Sequence, residues 1–416
     1  MIRKIFSLAY LTVKKHIFTF GFISLSIIFF LIPFWCSYLQ GDGTAEGKFK
    51  VFVTYSFLLS SIILITVNIA FSCVSISDEL KKKTMFLLDS KPLKRGQVIL
   101  GKWIGFLFLN FLLILSFLLS MSLFSVFLSK KIKNTFKEEK NIFLTYNQIS
   151  PCSFIFGKEE SSELKKRETY AIPPGGKITW NFKGIKNVSS NIYLTFKFYT
   201  SKKEEKEITG YWLIGNPSME KPVEVLTEFS QNEVHRLKIP SECVSKKGQL
   251  QITYMNIDPE NISVLFNKEE LKIRYPWKNY WNNLLRSGFN LLLVTGFISA
   301  MGIFFSAIVS TLTAAISTSV LIFISYLHGF TELIVNSLMG EKKIFTYFSY
   351  PLLKFSLFIL PPLNKFLPHI YIEDSLILPF SYLKDVFLKT TIFGAVPILI
   401  LAILYFSKRE LGVFNE

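Results

Sequence analysis

Asp78 and Glu79 stand side by side where an uncharged run, Val51 to Ser77, comes to an end. The chain then reads Leu80-Lys81-Lys82-Lys83-Thr84-Met85-Phe86-Leu87-Leu88-Asp89-Ser90-Lys91-Pro92, and a second uncharged run opens after Lys102. Met85, Leu87 and Leu88 are the apolar positions of a short amphipathic helix, which Pro92 ends by pushing the residue before it out of helical geometry. This is a rigid elbow held against a membrane by two apolar segments, with its charge facing the cytosol; its plainer reading is an ordinary basic loop. Within it, Gly96-x-x-x-x-Gly101-Lys102 copies most of a phosphate-binding loop, but Trp103 stands where Ser or Thr must meet Mg²⁺. A nucleotide, if one is used, is therefore expected on a separate chain.

Other candidate chemistry is thin. The four histidines, His16, His235, His328 and His369, fall in no H-E-x-x-H pattern, and no G-x-S-x-G occurs. His328, Glu332 and Asn336 recur every four residues and so share one helix face; ionisable groups at membrane depth point to function, and the plainer reading is an interfacial helix end touching water or neighbouring helices. Asn68, Asn110 and Asn290 lie within apolar runs; they either line a pathway or bond between helices. Trp180 and Gly210-Tyr211-Trp212 read as core aromatics, with stacking on a sugar as the alternative. Cys36 and Cys73 fall in apolar runs; Cys152 and Cys243 lie further out and are either a disulfide or two thiols. No metal-ligand spacing joins any of them.

The elements that must carry these residues are apolar helices. Half of the 416 residues are hydrophobic, Phe alone supplies 43, and only 19% are charged, against about 25% in a soluble domain. Ile17 to Gln40, Val51 to Ser77 and Trp103 to Ser129 hold no Asp, Glu, Lys or Arg. Each is long enough for one crossing of a bilayer, which takes about 20 residues of helix. Ser287 to Thr331 is long enough for two crossings. Thr390 to Ser407 supplies the sixth if it starts near Phe387 with Lys389 reaching to the interface. Pro397 is a kink candidate within it. These runs lack the polar face that a soluble helix shows, and the first is too long, and has no A-x-A after it, for a cleaved signal peptide.

The net charge of +17 sits beside the apolar runs, at Arg3, Lys4, Lys14, Lys15, Lys81 to Lys83, Lys94, Arg95, Lys408 and Arg409. That distribution argues for a membrane and against nucleic acid. By the positive-inside rule it places both termini and the 78–102 loop in the cytoplasm of a plasma-membrane protein. Lys130, Lys131, Lys133 and Lys137 fall on the outer side, but they open a long segment, and long segments cross regardless of charge. Residues 1–16 read as an amphipathic helix on the inner surface. Residues 130–283 change to period-2 alternation, as in Ile178 to Phe182, Ile192 to Phe198, His235 to Ile239, Leu250 to Tyr254 and Leu271 to Tyr275. Pro173-Pro174-Gly175-Gly176, Asn216-Pro217, Lys246-Lys247-Gly248 and Asp258-Pro259 punctuate it as turns.

The fold class expected is an α-helical polytopic membrane protein with six transmembrane helices. A β-sandwich-like domain, extracytoplasmic, is inserted between the third and fourth. The segments are 1–16, 17–129 with the loop 78–102, 130–283, and 284–416 with an outer re-entrant stretch at 332–385. A seventh span there would put the C-terminal Lys408-Arg409 outside, against the charge rule.

The elbow resembles the segment between the second and third spans of ABC-2 type ABC transporter permeases, which carry an acidic residue, a Thr, a Leu-Leu pair, Ser-x-Pro and a Gly-Lys. The matching positions are Glu79, Thr84, Leu87, Leu88, Ser90, Pro92, Gly101 and Lys102. Lys81-Lys82-Lys83 departs from the family's usual acidic or Gly-containing run, and the large outer domain is an addition. The resemblance implies a coupling helix, with Asp78, Glu79, Thr84, Leu87, Leu88 and Pro92 docking on ABC ATPase subunits. It also implies a dimer of two permease chains, identical or not, and ATP with Mg²⁺ bound on the partner and no cofactor on this chain. Asn68, Asn110, Asn290, His328 and Glu332 are the pathway candidates. The alternative is a membrane-anchored extracytoplasmic binding or scaffold protein.

Overall fold

The computed structural model describes residues 2–41, 44–82, 93–136, 145–156, 169–186, 192–200, 207–216, 219, 221–258, 262–267, 270–277, 280–338, 350–351, 353–354, 357, 359–373 and 375–409. Thr84, Leu87, Leu88 and Pro92 lie outside these residues, as do Asp42, Gly43, Pro217 and Pro259. The chain divides into two compact units, Met1–Ile142 with Tyr280–Glu416, and Phe143–Asn279.

The first unit is helical. α1 (Ile2–Ile17) and α2 (Phe20–Cys36) meet at 78°. Thr19 makes the break: its extended backbone starts a new helix, and its hydroxyl caps Phe22 N at 3.3 Å. α3 (Ala45–Val74) starts at a Thr44 cap and is followed by the short α4 (Ser77–Lys81). α5 (Arg95–Phe136) has 42 residues, about 63 Å at 1.5 Å per residue, so it outruns a hydrocarbon core of about 30 Å. The cluster Lys130, Lys131 and Lys133 therefore continues this helix, and Lys131 lies 5.9 Å from the centre of the Tyr38 ring.

α6 (Tyr280–Ile308) and α7 (Thr311–Tyr326) form the expected hairpin, broken at Val309 and Ser310. At Leu327 the chain bends by 68° into α8 (His328–Leu338). α9 (Leu363–Phe366) and α10 (His369–Glu373) are short. The last long helix runs Phe380–Lys408. It comprises α11 (Phe380–Val386), a π-helical stretch Phe387–Ala395, and α12 (Val396–Lys408). Pro397 has no N–H to donate, and its ring crowds the carbonyl one turn back. The widened π turns immediately before it accommodate both. Among the described residues four helices are long and apolar enough to cross a membrane, and up to six if each bent pair counts as one.

Side-chain bonds sort the helix ends into two groups. At one end, Ser77 meets Ser306 and Thr311, Lys102 meets Glu79, and Arg95 meets the last carbonyls of α12. At the other, Ser125 bonds Tyr280 at 2.7 Å and the Phe49 ring packs on Tyr280. There too, Asn283 and Arg286 bond Leu376 O and Leu378 O at 3.0 and 2.8 Å, and Ser325 bonds Pro361 O. The stretch 359–378 is therefore packed on the first turns of α6 and the last of α7. Lys14, Lys15, Lys81, Lys82, Lys94, Arg95, Lys408 and Arg409 all belong to the first group, hereafter the basic end.

The second unit is β-structure with its own core. A five-stranded sheet has the order β2 (Ser153–Phe156), β4 (Lys177–Phe182), β10 (Leu250–Asn256), β7 (Glu207–Gly215), β8 (Val223–Ser230). A four-stranded sheet has β1 (Thr145–Ile149), β12 (Lys272–Trp277), β5 (Ile192–Phe196), β9 (His235–Ile239), and a three-stranded sheet has β3 (Thr169–Ile172), β11 (Val264–Asn267), β6 (Phe198–Thr200). All paired strands are antiparallel. The chain passes from the four- to the three-stranded sheet at Lys197, and all three sheets turn their alternate apolar side chains into one core around Trp180, Trp212, Phe196 and Phe266. Gly175 and Gly248 take φ of +72° and +71°, the left-handed geometry that the turns at 173–176 and 246–248 require.

Candidate functional site

The elbow's root is an ion network. Glu79, in the middle of α4, forms ion pairs with Lys102 at 2.8 Å and Lys15 at 3.3 Å. The Lys102 side chain is only 8% exposed and also donates to Ser75 O at 2.9 Å. A buried ammonium needs such partners, because its desolvation is repaid only by an opposite charge and filled hydrogen bonds. Asp78 pairs with Lys82 one turn on, at 3.0 Å and largely in water. Three elements thus meet on one carboxylate: the end of α1, the end of α3 with α4, and the first turns of α5. His16 packs its ring on Phe71 and Phe106, at 5.4 and 5.8 Å, beside this network.

Close packing holds α1 in place. Gly101 and Gly105 lie one turn apart on the face of α5 that meets it. A Cβ at Gly101 would come within 2.6 Å of Leu8 Cβ, and one at Gly105 within 2.8 Å of Thr12 Cβ. Gly101-Lys-Trp-Ile-Gly105 is the small-x-x-x-small spacing by which helices approach in lipid. Leu8, Leu11, Val98 and Phe106 wall a groove of about 300 Å³ over Glu79, Lys15 and Lys102. The same helical packing disposes of the phosphate-loop likeness: residues 96–102 form the first two turns of a membrane-length helix instead of the loop that would cradle a phosphate, and Trp103 Nε1 donates to Gly296 O at 2.9 Å.

Arg95, at the start of α5, donates to Phe406 O at 3.1 Å, Ser407 O and Arg409 O, satisfying the carbonyls that end α12. Arg409 in turn bonds Ala307 O on α6. Ser306 accepts from the N–H groups of both Ile76 and Ser77, each at 3.0 Å. The basic ends of α3, α5, α6 and α12 are therefore joined by named bonds on both sides of the elbow.

The remaining candidates separate. Asn68 and Asn110 are buried, at 1% and 4% exposure, and bond each other at 3.1 Å. Asn68 also donates to Thr295 O at 2.6 Å and accepts from Ser299 at 2.8 Å. They are a polar knot between α3, α5 and α6. Asn290 is buried toward the other end, donating to Phe366 O at 2.8 Å and close to the Tyr382 hydroxyl. His328 is half-buried and Glu332 exposed on α8. The structure thus brings Asn68 to Asn110 and leaves Asn290, His328 and Glu332 elsewhere. Trp180 and Trp212, at 2% and 1% exposure, are core residues and present no stacking face. Cys152 is exposed and Cys243 buried, both as thiols; burial and neighbouring Glu242 push the Cys243 thiol up. No trio of His, Cys, Asp or Glu able to hold a metal ion occurs among the described residues.

Sequence reading missed Lys15 and Lys102 as partners of Glu79, and Arg95 as the cap of α12. The Gly101/Gly105 spacing was a visible signal for the α1 contact; Ser75 and Ser306 carried none. Residues 7–147 match the family described as ABC-2 family transporter protein, from within α1 through α5 into β1. This match supports an ABC-2 type transporter permease, the resemblance that the elbow carries. Among curated proteins none matches the chain.

Proposed function

We propose that this chain, a permease of the ABC-2 transporter type over its first membrane segments, is the membrane subunit of an ATP-driven complex and couples to separate ATPase subunits through the loop 78–102. The observation that carries the reading is the Glu79 network at the loop's root, inside the region that matches the family. A docking element transmits force only if its base is stiff. Here one carboxylate ties α1, α3 and α5, and Arg95 ties the loop's other root to the final helix. A push on residues 83–92 would then tilt several helices together instead of bending a loop.

The remaining features fit this scheme. Six crossings, counting α1–α2 and α7–α8 as bent pairs, bring both ends of the chain to the basic end, which the positive-inside rule assigns to the cytoplasm of a plasma membrane. α1 then lies along the inner surface, and the β-unit, inserted between α5 and α6, is extracytoplasmic. The segment 332–385 carries the outer re-entrant element. Two permease chains, each with its ATPase, enclose the pathway, and ATP and Mg²⁺ are bound by the partner. Asn68 and Asn110 act in this scheme as a hinge between α3, α5 and α6, and His328 and Glu332 face the outer mouth.

The test is association. The tagged chain, wild type or Leu88→Asp, is purified at equal membrane levels under mild detergent. An ATPase bearing a true phosphate-binding loop is expected with the wild type and is lost, by tenfold or more, with Leu88→Asp; an apolar hot spot contributes about 2 kcal/mol or more to such a contact. If no ATPase accompanies the wild type, the permease reading fails and an anchored binding protein is the better account.

A further inference from the structure

Among the described residues, two of the strands that end their sheets carry opposite charge. β8 is outermost in the five-stranded sheet and β9 in the four-stranded one. Along β8 the exposed side chains are Glu224, Leu226 and Glu228, while Val225 and Phe229 pack on the core. Along β9 the exposed side chains are Arg236 and Lys238. Only residues 231–234 separate the strands, and the Phe229 and His235 rings lie 4.4 Å apart, so both edges belong to one flank of the unit. Leu226 and Val234, 62% and 66% exposed, are the barest of its large apolar side chains among the described residues.

Among the described residues, the backbone of 223–229 and 236–238 bonds only the neighbouring strand. Open edges invite pairing, and proteins usually blunt them with a proline, a bulge or an inward charge. β8 runs eight residues without any of these; its proline, Pro222, precedes it. The alternation of charge and burial along it keeps Glu224 exposed on the outer face.

We propose that this flank joins two copies of the chain, β8 of each pairing antiparallel with β9 of the other about a two-fold axis parallel to the strands. Charge selects this arrangement over the simpler pairing of β8 with itself. Centred on Leu226, self-pairing sets Glu224 against Glu228 twice, and like charges directly opposite are destabilising. Pairing with β9 sets Glu224 against Lys238 and Leu226 against Arg236. Shifted by two residues, it sets Glu228 against Arg236 and Leu226 against Lys238. In either register the aliphatic stem of a basic residue covers Leu226. Because the chain reverses between β8 and β9, the contact is made twice and closes as a dimer. Main-chain bonds supply attachment and the charges supply register, as in strand addition generally. The inference goes beyond the coupling scheme and does not depend on it.

The test uses the full chain in its native membrane, with the exposed Cys152 changed to Ser. Two differently tagged copies are co-expressed, one with Leu226→Cys and the other with Arg236→Cys or Lys238→Cys, and oxidised with copper phenanthroline. A disulfide-linked pair carrying both tags is expected in one of the two combinations. Its yield should fall at least tenfold when the first copy also carries Glu224→Lys and Glu228→Lys, and recover when the second copy's remaining cation is changed to Glu. Absence of a mixed pair in both combinations, from copies whose buried Cys243 stays unreactive, overturns the proposal. So does a dimer formed by Leu226→Cys alone, which would mean β8 against β8. ATPase association measured on the same membranes reads the coupling scheme separately.

Discussion

Glu79→Ala should be far more damaging than removing either of its partners. Lys102 forms an ion pair with Glu79 Oε2 at 2.8 Å and donates a hydrogen bond to Ser75 O at 2.9 Å, and its side chain is 8% exposed. Taking away the carboxylate leaves a buried ammonium with one carbonyl, and breaking a buried pair in this way costs about 3–5 kcal/mol. Lys102→Met removes the buried cation instead. Glu79 then keeps Lys15, whose side chain is 51% exposed, so water helps to solvate the pair and the cost should be roughly 1–2 kcal/mol, nearer the range of surface pairs. Glu79→Ala combined with Lys102→Met should recover most of the loss, because apolar replacement of a buried pair is often close to neutral. With the double variant left about 1 kcal/mol short of wild type, the cycle should give an interaction of about 3–6 kcal/mol, at or above the upper end of the usual range for contacting residues. Heating the detergent-purified chain while following thiol labelling of the buried Cys36 and Cys73 reports the helical unit. A loss of ~3 kcal/mol should lower its midpoint by roughly 6–12 °C. Equal midpoints for Glu79→Ala and Lys102→Met would refute the assignment of Glu79 as the partner that Lys102 requires.

Three further outcomes follow from the same structure. Gly101→Leu should lift α1 from α5, since a Cβ there meets Leu8 at 2.6 Å; overpacking of this kind costs about 1–3 kcal/mol, and a cysteine at Leu8 should label faster in the variant than in wild type. Trp212→Ala should destabilise the β-unit by about 3–5 kcal/mol, because Trp212 packs on Phe196 and Tyr254 at 4.7 and 4.8 Å; limited proteolysis should then cut within 143–279 while α3 and α5 stay intact. Impermeant thiol labelling of single cysteines should find positions 160, 220 and 365 outside and 412 inside; an outer C-terminus would overturn the six-crossing topology.

Much of the helical unit was legible because a bilayer demands long uncharged runs. Trp103 to Ser129 falls within α5, Val51 to Ser77 lies in α3 but for its last three residues, and the Ser287 to Thr331 run does turn back, at Val309 and Ser310. Helix ends were less legible. α5 runs through its lysines to Phe136, since a charge stops a bilayer span but not a helix, and α7 gives way at Leu327, ahead of the expected Thr331. In the β-unit, strands with strict alternation such as Ile178 to Phe182 were plain. β8 was not, because Glu224 and Glu228 mask its period-2 pattern as an ordinary polar stretch. Glu79 was legible as a site residue from its neighbours in the chain. Its partners were not, because Lys15 lies 64 residues away in sequence and Lys102 read only as part of the Gly-Lys pair before the next span. Asn68 and Asn110 could be picked out as odd residues in apolar runs, but only three-dimensional packing tells a pathway residue from a knot between helices.

The central claim, that the loop 78–102 is a cytoplasmic docking element for an ATPase, is tested most directly at Met85. A Met85→Cys chain in inside-out and right-side-out vesicles is treated with an impermeant thiol reagent, with the ATPase present or stripped away. The account predicts labelling from the cytoplasmic face alone. The rate should be at least tenfold lower when the ATPase is bound, and the protection should be lost when Leu88→Asp is added. Labelling from the outer face, or equal rates with and without the ATPase, would contradict it.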